Sequence, residues 1–160
     1  MSDPLTELRA SPARRAIGVG TMFALGALLV YLGLSQSYDK LAWQVVVLVF
    51  GAAALWAAVR MQHATALHIE LHEDGVYDSE GVLLAALDDI DTVERGMLAF
   101  KPSNGFMIRT KTAQPRRWRP GLYWVLGRRI GVGGVTAASH SKAMADIIAM
   151  KMRERRGEEL

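Results

Sequence analysis

Two stretches without a charged residue, 16–38 and 41–59, lie near the start of this 160-residue chain with only Asp39 and Lys40 between them. A bilayer core takes about 20 apolar residues as helix. Residues 16–34 read AIGVGTMFALGALLVYLGL, and residues 41–59 read LAWQVVVLVFGAAALWAAV, with Gln44 near the start of the second run. Each predicts a membrane-spanning helix, and the short connection 35–40 predicts an antiparallel hairpin. Tyr31, Tyr38, Trp43 and Trp56 fall near the ends of the runs, where amphipathic rings favour the interface. The first run is too long for the apolar core of a signal peptide and a second span follows at once, so a signal-anchor is expected. Small residues (Gly20 with Ala24, Gly26 with Gly33, and 51–54) predict packing faces, first of all between the two helices. No charge lies inside either run, which argues against a transporter or proton path.

Orientation follows from basic residues. Arg9, Arg14 and Arg15 precede the first run, Lys40 alone stands in the loop, and Arg60 follows the second. The bias predicts a multi-pass membrane protein with both termini cytoplasmic. The expected organisation is an N-terminal tail (1–15), a hairpin (16–60), a strand-rich domain with a C-terminal helix (61–156), and a short tail (157–160).

After residue 60 the pattern changes from continuous apolar runs to short alternating ones. Leu67, Ile69 and Leu71 alternate with His68, Glu70 and His72, the period of a half-buried strand. Turns are expected at 73–75 and 78–81, with short strands at 76–77, 82–87 and from Ile90. An Asn104-Gly105 pair between 97–101 and 106–112 predicts a hairpin, because both residues tolerate positive φ. Residues 114–120, QPRRWRP, predict a loop or edge; 122–126 and 130–135 predict two further strands. Met144, Ile147, Ile148 and Met152 mark one stripe of a final helix over 140–155, with Ser139 or Ser141 as its cap. The fold class expected is therefore membrane-anchored α+β: a helical hairpin plus a curled sheet or barrel closed by the C-terminal helix.

This order resembles small bacterial two-helix membrane proteins with a pleckstrin-homology-like domain. The stretches that carry the resemblance are LHIELHEDGVY, DSEGVLLAALDDI, the hairpin around KPSNGF and the helix KAMADIIAMKM, over residues 66–152. It implies a domain without intrinsic catalysis that binds proteins, peptides or lipid head groups. The basic motif by which some such domains hold phosphoinositides in their first hairpin is not found in this chain, and phosphoinositide recognition is not carried over.

Charge is segregated along the domain. Nine acidic and no Lys or Arg residues lie in 61–94, then ten basic and no acidic residues in 95–145. The densest basic stretch, PRRWRPGLYWVLGRR at 115–129, mixes arginine with aromatic rings, a composition suited to carboxylate or phosphate pairing and to stacking. Three roles fit Arg116, Arg117, Trp118, Arg119, Trp124, Arg128 and Arg129: a solvated edge balancing the acidic half, contact with anionic lipid at the cytoplasmic leaflet, or contact with an acidic protein partner. The membrane tether and the acidic half argue against nucleic acid.

Catalytic constellations are sparse. The chain has no cysteine, which excludes thiolate chemistry, disulfides and Cys-based metal sites. His68, Glu70 and His72 alternate on one strand and share a side, a possible metal cluster; the alternative is a polar outer strand face. Residues 131–134 lack the spacing of a phosphate loop and predict a tight strand end before the last helix. Asp88, Asp89 and Asp91 predict a solvated turn, and Ser139-His140-Ser141 are too close in sequence for triad geometry. The expectation is a non-enzymatic, membrane-anchored module without cofactor, serving scaffolding, assembly or regulation of a membrane-protein partner or of itself. An anionic-lipid sensor is the alternative, and a His-ligated metal protein the second.

Overall fold

The structure is a computed structural model that describes residues 3–38, 40–95 and 104–157. Two 24-residue helices, α1 (Pro12–Ser35) and α2 (Leu41–Ala64), form the expected hairpin. Pro12 opens α1 at the first turn, where its missing N–H costs nothing. At 1.5 Å per residue each helix is about 36 Å long, enough to cross a membrane, and both are apolar enough to do so. Large apolar side chains stand exposed around both, among them Ile17, Leu28, Leu34, Leu41, Val49 and Phe50. A surface of that extent is not left to water in a soluble monomer.

The helices approach closely because three glycines make room. A Cβ at Gly26 would stand 2.7 Å from Leu55 Cγ, one at Gly33 2.6 Å from Leu48 Cδ2, and one at Gly51 2.9 Å from Val30 Cγ2. These small residues therefore pack α1 on α2, while Gly20 and Ala24 face outward. Gln44 donates from Nε2 to the Gly33 carbonyl at 2.9 Å, so the polar group of the second apolar run is satisfied within the hairpin.

The remaining elements among the described residues are seven strands, one short 3-10 turn and one helix. β1 (Thr6–Arg9), β2 (His68–Leu71), β3 (Gly75–Asp78) and β4 (Leu83–Ala86) form an antiparallel sheet in chain order. A 3-10 turn at Leu87–Asp89 leads to the second sheet: β5 (Ile90–Glu94), β6 (Phe106–Arg119) and β7 (Tyr123–Val132), also antiparallel in chain order. Helix α3 (Ala138–Arg156) follows and packs on β1 and β5. Leu8, Ile69, Leu71, Val76, Leu84, Phe106, Ile108, Ile130, Val132, Met144 and Ile148 make one core between sheets and helix.

Several sequence expectations change. The segment before the hairpin, expected as a tail, contributes β1, which pairs with β2 from after the hairpin in the register Thr6↔Leu71 to Arg9↔His68. Leu8 is fully buried in the shared core. Residues 114–120, expected as a loop or edge, are largely the second half of β6, an edge that pairs with β7 alone because β5 reaches only to Thr110. The strand tolerates Pro115 because its pairing with β7 is irregular on both sides of Gln114. The strands expected at 122–126 and 130–135 are one strand, β7, with Gly127 at φ +58 in its middle. The cap of α3 is Ala137, not a serine; Ser141 instead lies one turn in, its hydroxyl donating to the Ala137 carbonyl at 3.2 Å. The stripe of α3 is as expected: Met144, Ile148 and Met152 are buried and Ile147 packs beside them. Asn104 adopts the positive φ, +56, that its turn requires, and Phe106 opens a strand there, while the run expected at 97–101 lies outside the described residues.

Helices and sheets meet at one junction. Arg14 donates to the Thr136 carbonyl at 2.7 Å and Arg15 to the Gln62 carbonyl at 3.0 Å. Ala10 bridges Thr136, and Ser11 N–H donates to Val135 O at 2.8 Å. The β6–β7 tip joins them: Val135 N–H donates to Gly121 O at 3.1 Å, and Gly121 lies against Met61 and Thr65 of α2 and its cap. Gly134, at φ +126, allows this approach, since a Cβ there would sit 2.6 Å from Gly121 O. The glycine-rich stretch 131–134 is thus the tight strand end expected.

Candidate functional site

The outer face of the first sheet carries a compact polar cluster. On β2, inward Ile69 and Leu71 alternate with outward His68 and Glu70, and His72 continues the outward row. Glu70 accepts from the ring N–H groups of both histidines, His68 Nε2 to Oε1 at 2.9 Å and His72 Nε2 to Oε2 at 3.0 Å. The His72 hydrogen bond, and then that of His68, hold the Glu70 carboxyl below its usual range, against the desolvation that raises it. Tyr77 on β3 stands edge-on to His72, with ring centroids 5.3 Å apart. Its hydroxyl donates to Asp74 at 2.6 Å. His68, Glu70 and His72 thus lie on one side of the strand and are joined through the Glu70 carboxylate.

A fourth member was not read from the sequence. The β1–β2 register puts Glu7 directly opposite Glu70 and Arg9 opposite His68. Donor atoms of Glu7, His68 and Glu70 lie within 4.8 Å of one another. His72 stands outside that trio. Arg9 pairs with Glu7, its Nε at 2.9 Å from Oε2. Nothing local in TELR signals this role; the signal is a pairing across the whole hairpin.

Several arginines of the basic stretch 115–129 find partners within the domain. Arg117 donates to Leu83 O at 3.3 Å, Arg119 pairs with Glu80, and Arg128 donates to Lys111 O. The acidic and basic halves of the sequence interlock in this way. Arg109 also faces Asp91, Lys111 donates to Asp88 O at 2.8 Å, and Thr112 and Gln114 both donate to Asp89. Arg155 pairs with Asp88. The side chains of Arg116 and Arg129 make no hydrogen bond or ion pair among the described residues.

The β6–β7 hairpin also bends back on itself, since Gly133 N–H donates to Leu122 O at 2.8 Å. Arg119 sits beside the tip, while Arg128 and Arg129 lie beyond Gly127, part-way along β7. What stays together is an aromatic pair. Trp118 and Trp124 are directly cross-strand, and the Trp124 ring packs over Gly131, leaving no room for a Cβ there. Trp118 is 55% and Leu126 58% exposed. Trp118, Leu126 and Arg116 thus make an open, mixed apolar and cationic face close to the hairpin tip.

No family model, curated protein or solved structure matches the chain.

Proposed function

We propose that the protein is a membrane-anchored, non-enzymatic binding module that holds a small domain against the cytoplasmic face of a bacterial inner membrane and engages a membrane-protein partner there. The observation that carries this reading is the insertion of the hairpin between β1 and β2. Both feet of the anchor run into one sheet, so the domain has a set orientation towards the bilayer, as a scaffold needs. Arg14, Arg15 and Arg60 cluster at the domain end of the hairpin and only Lys40 at the loop end, which supports cytoplasmic termini. Four strands, then three, then a C-terminal helix support the pleckstrin-homology-like reading of the domain.

The contact surface in this reading is the outer face of the β6–β7 hairpin, with Trp118 and Leu126 as apolar anchors and Arg116 as the unpaired cation. Aromatic and arginine side chains dominate such contacts. A second reading, contact with anionic lipid, is favoured by one observation. Gly121 rests on Met61 and Thr65, so Trp118 is about 10 Å of strand from the end of α2, within reach of the headgroup layer.

A photo-crosslinking residue at position 118, in cells making the full chain, separates the two. A discrete protein adduct that disappears with Arg116→Glu supports the partner reading. Lipid adducts alone support the second. Absence of both, with the protein inserted and folded, removes this face from the account.

A further inference from the structure

We propose that Glu7, His68 and Glu70 bind one divalent transition-metal cation of the zinc class, and that this ion clasps the strand before the helical hairpin to the strand after it.

The donor set fits such an ion. One imidazole nitrogen and two carboxylate oxygens are the ligand types of a site with three protein ligands and a solvent position. Calcium and magnesium take six or more oxygens and make poor use of an imidazole. The three donors already lie within 4.8 Å of one another, and tetrahedral ligation at about 2.1 Å draws ligands to about 3.4 Å. Rotation of side chains supplies the difference, because Glu7 is a third exposed and His68 a fifth.

The register gives a second reason. Glu7 and Glu70 are direct cross-strand partners, and like charges in that position oppose pairing. A cation between them turns that opposition into a bond between β1 and β2. His72 assists from outside the ligand set: its ring N–H holds Oε2 of Glu70 and leaves Oε1 turned towards His68. A hydrogen-bonded ligand of this kind is oriented for metal. On binding, His68 gives up its Nε2 hydrogen bond to Glu70 and carries its proton on Nδ1. Arg9 competes, since it engages Oε2 of Glu7.

The test is calorimetric titration of Zn²⁺ into the chelator-treated full chain in mild detergent, purified without a polyhistidine tag. The wild type is expected to bind one Zn²⁺ per chain, with a rise in its thermal midpoint. Glu7→Gln and His68→Ala are each expected to weaken binding by more than the about 10–100-fold typical of losing an outer partner, and His72→Ala by about that outer-partner factor. Arg9→Gln is expected to tighten it. Absence of binding by the wild type overturns the proposal. So does wild-type affinity in Glu7→Gln, a substitution that keeps the shape of an accessible side chain and so tests the site even if His68→Ala fails to fold.

Discussion

Tyr123 on β7 donates its hydroxyl to Asp78 on β3 at 2.9 Å, a buried hydrogen bond that ties the second sheet to the first. Asp78 is fully buried, and its other oxygen accepts from the Glu80 and Val82 N–H groups at 3.0 Å each. Tyr123→Phe keeps the ring and removes one partner of a buried carboxylate. The expected loss is about 1–3 kcal/mol, read from thermal unfolding in detergent. Burial first, and then the Asp78 bond, push the Tyr123 hydroxyl up to about 12 from its usual 10. The folded state therefore holds its proton longer than the unfolded one. The stabilisation this contributes is present in full below pH 10 and disappears as pH rises through about 12. Unfolding midpoints of the wild type and Tyr123→Phe should converge over that range; parallel curves would show the bond to be irrelevant.

The helical hairpin discriminates between its glycines. Gly26→Leu would force a side chain into Leu55, whereas a Cβ at Gly20, on the outward side of α1, meets nothing within 4 Å. Gly26→Leu should destabilise the hairpin by about 1–3 kcal/mol, as overpacking does, and Gly20→Leu should be neutral. Protease resistance and thermal midpoints of the detergent-solubilised variants measure the difference. Equal effects would argue against the packing of α1 on α2.

Removal of β1 should damage the domain although it lies on the far side of the hairpin in sequence. Leu8→Ala leaves a cavity among Ile69, Leu71 and the residues of α3, with an expected cost of about 2–5 kcal/mol. A fragment beginning at residue 61 lacks the strand altogether and exposes the edge of β2, which invites aggregation. Size-exclusion profiles of that fragment, with and without an added peptide of residues 3–11, check this. A monodisperse, fully folded fragment without the peptide would contradict it.

Gly131→Ala should displace Trp124, whose ring occupies the space of the added methyl. The expected readouts are a red shift of tryptophan emission and a loss of about 1–3 kcal/mol. Gly81→Ala is the comparison for added volume, since nothing lies within 4 Å there, although its φ of +78 brings a strain of its own.

What was legible from residues alone follows the range of each signal. The two apolar runs and the stripe of Met144, Ile147, Ile148 and Met152 are local patterns, and the structure contains them. The alternation of His68, Glu70 and His72 was equally local, and the three lie on one side of the strand, linked through Glu70. Glu7 was not legible, because TELR is four residues long and its partner lies about 60 residues away. The loop or edge expected at 114–120 and the gap between the strands expected at 122–126 and 130–135 are irregularities inside β6 and β7, absorbed by shifted pairing. The basic stretch was visible as composition, whereas the partners of its single arginines were not. Glu80 takes up Arg119, backbone carbonyls take up Arg117 and Arg128, and Gly127 separates Arg128 and Arg129 from Trp118.

The interruption of the first sheet by the hairpin also sets an order of events during synthesis. β1 leaves the ribosome before the hairpin, and its partner β2 emerges only after about 60 more residues, an interval of roughly 3–12 s at the usual rate of elongation. Through that interval Leu8 has no core to enter and the edge of β1 has no neighbour. Both helices have been made before the sheet can close. Folding of the domain is thus timed by the hairpin, and a chain whose hairpin stalls would be left with its first strand unmatched.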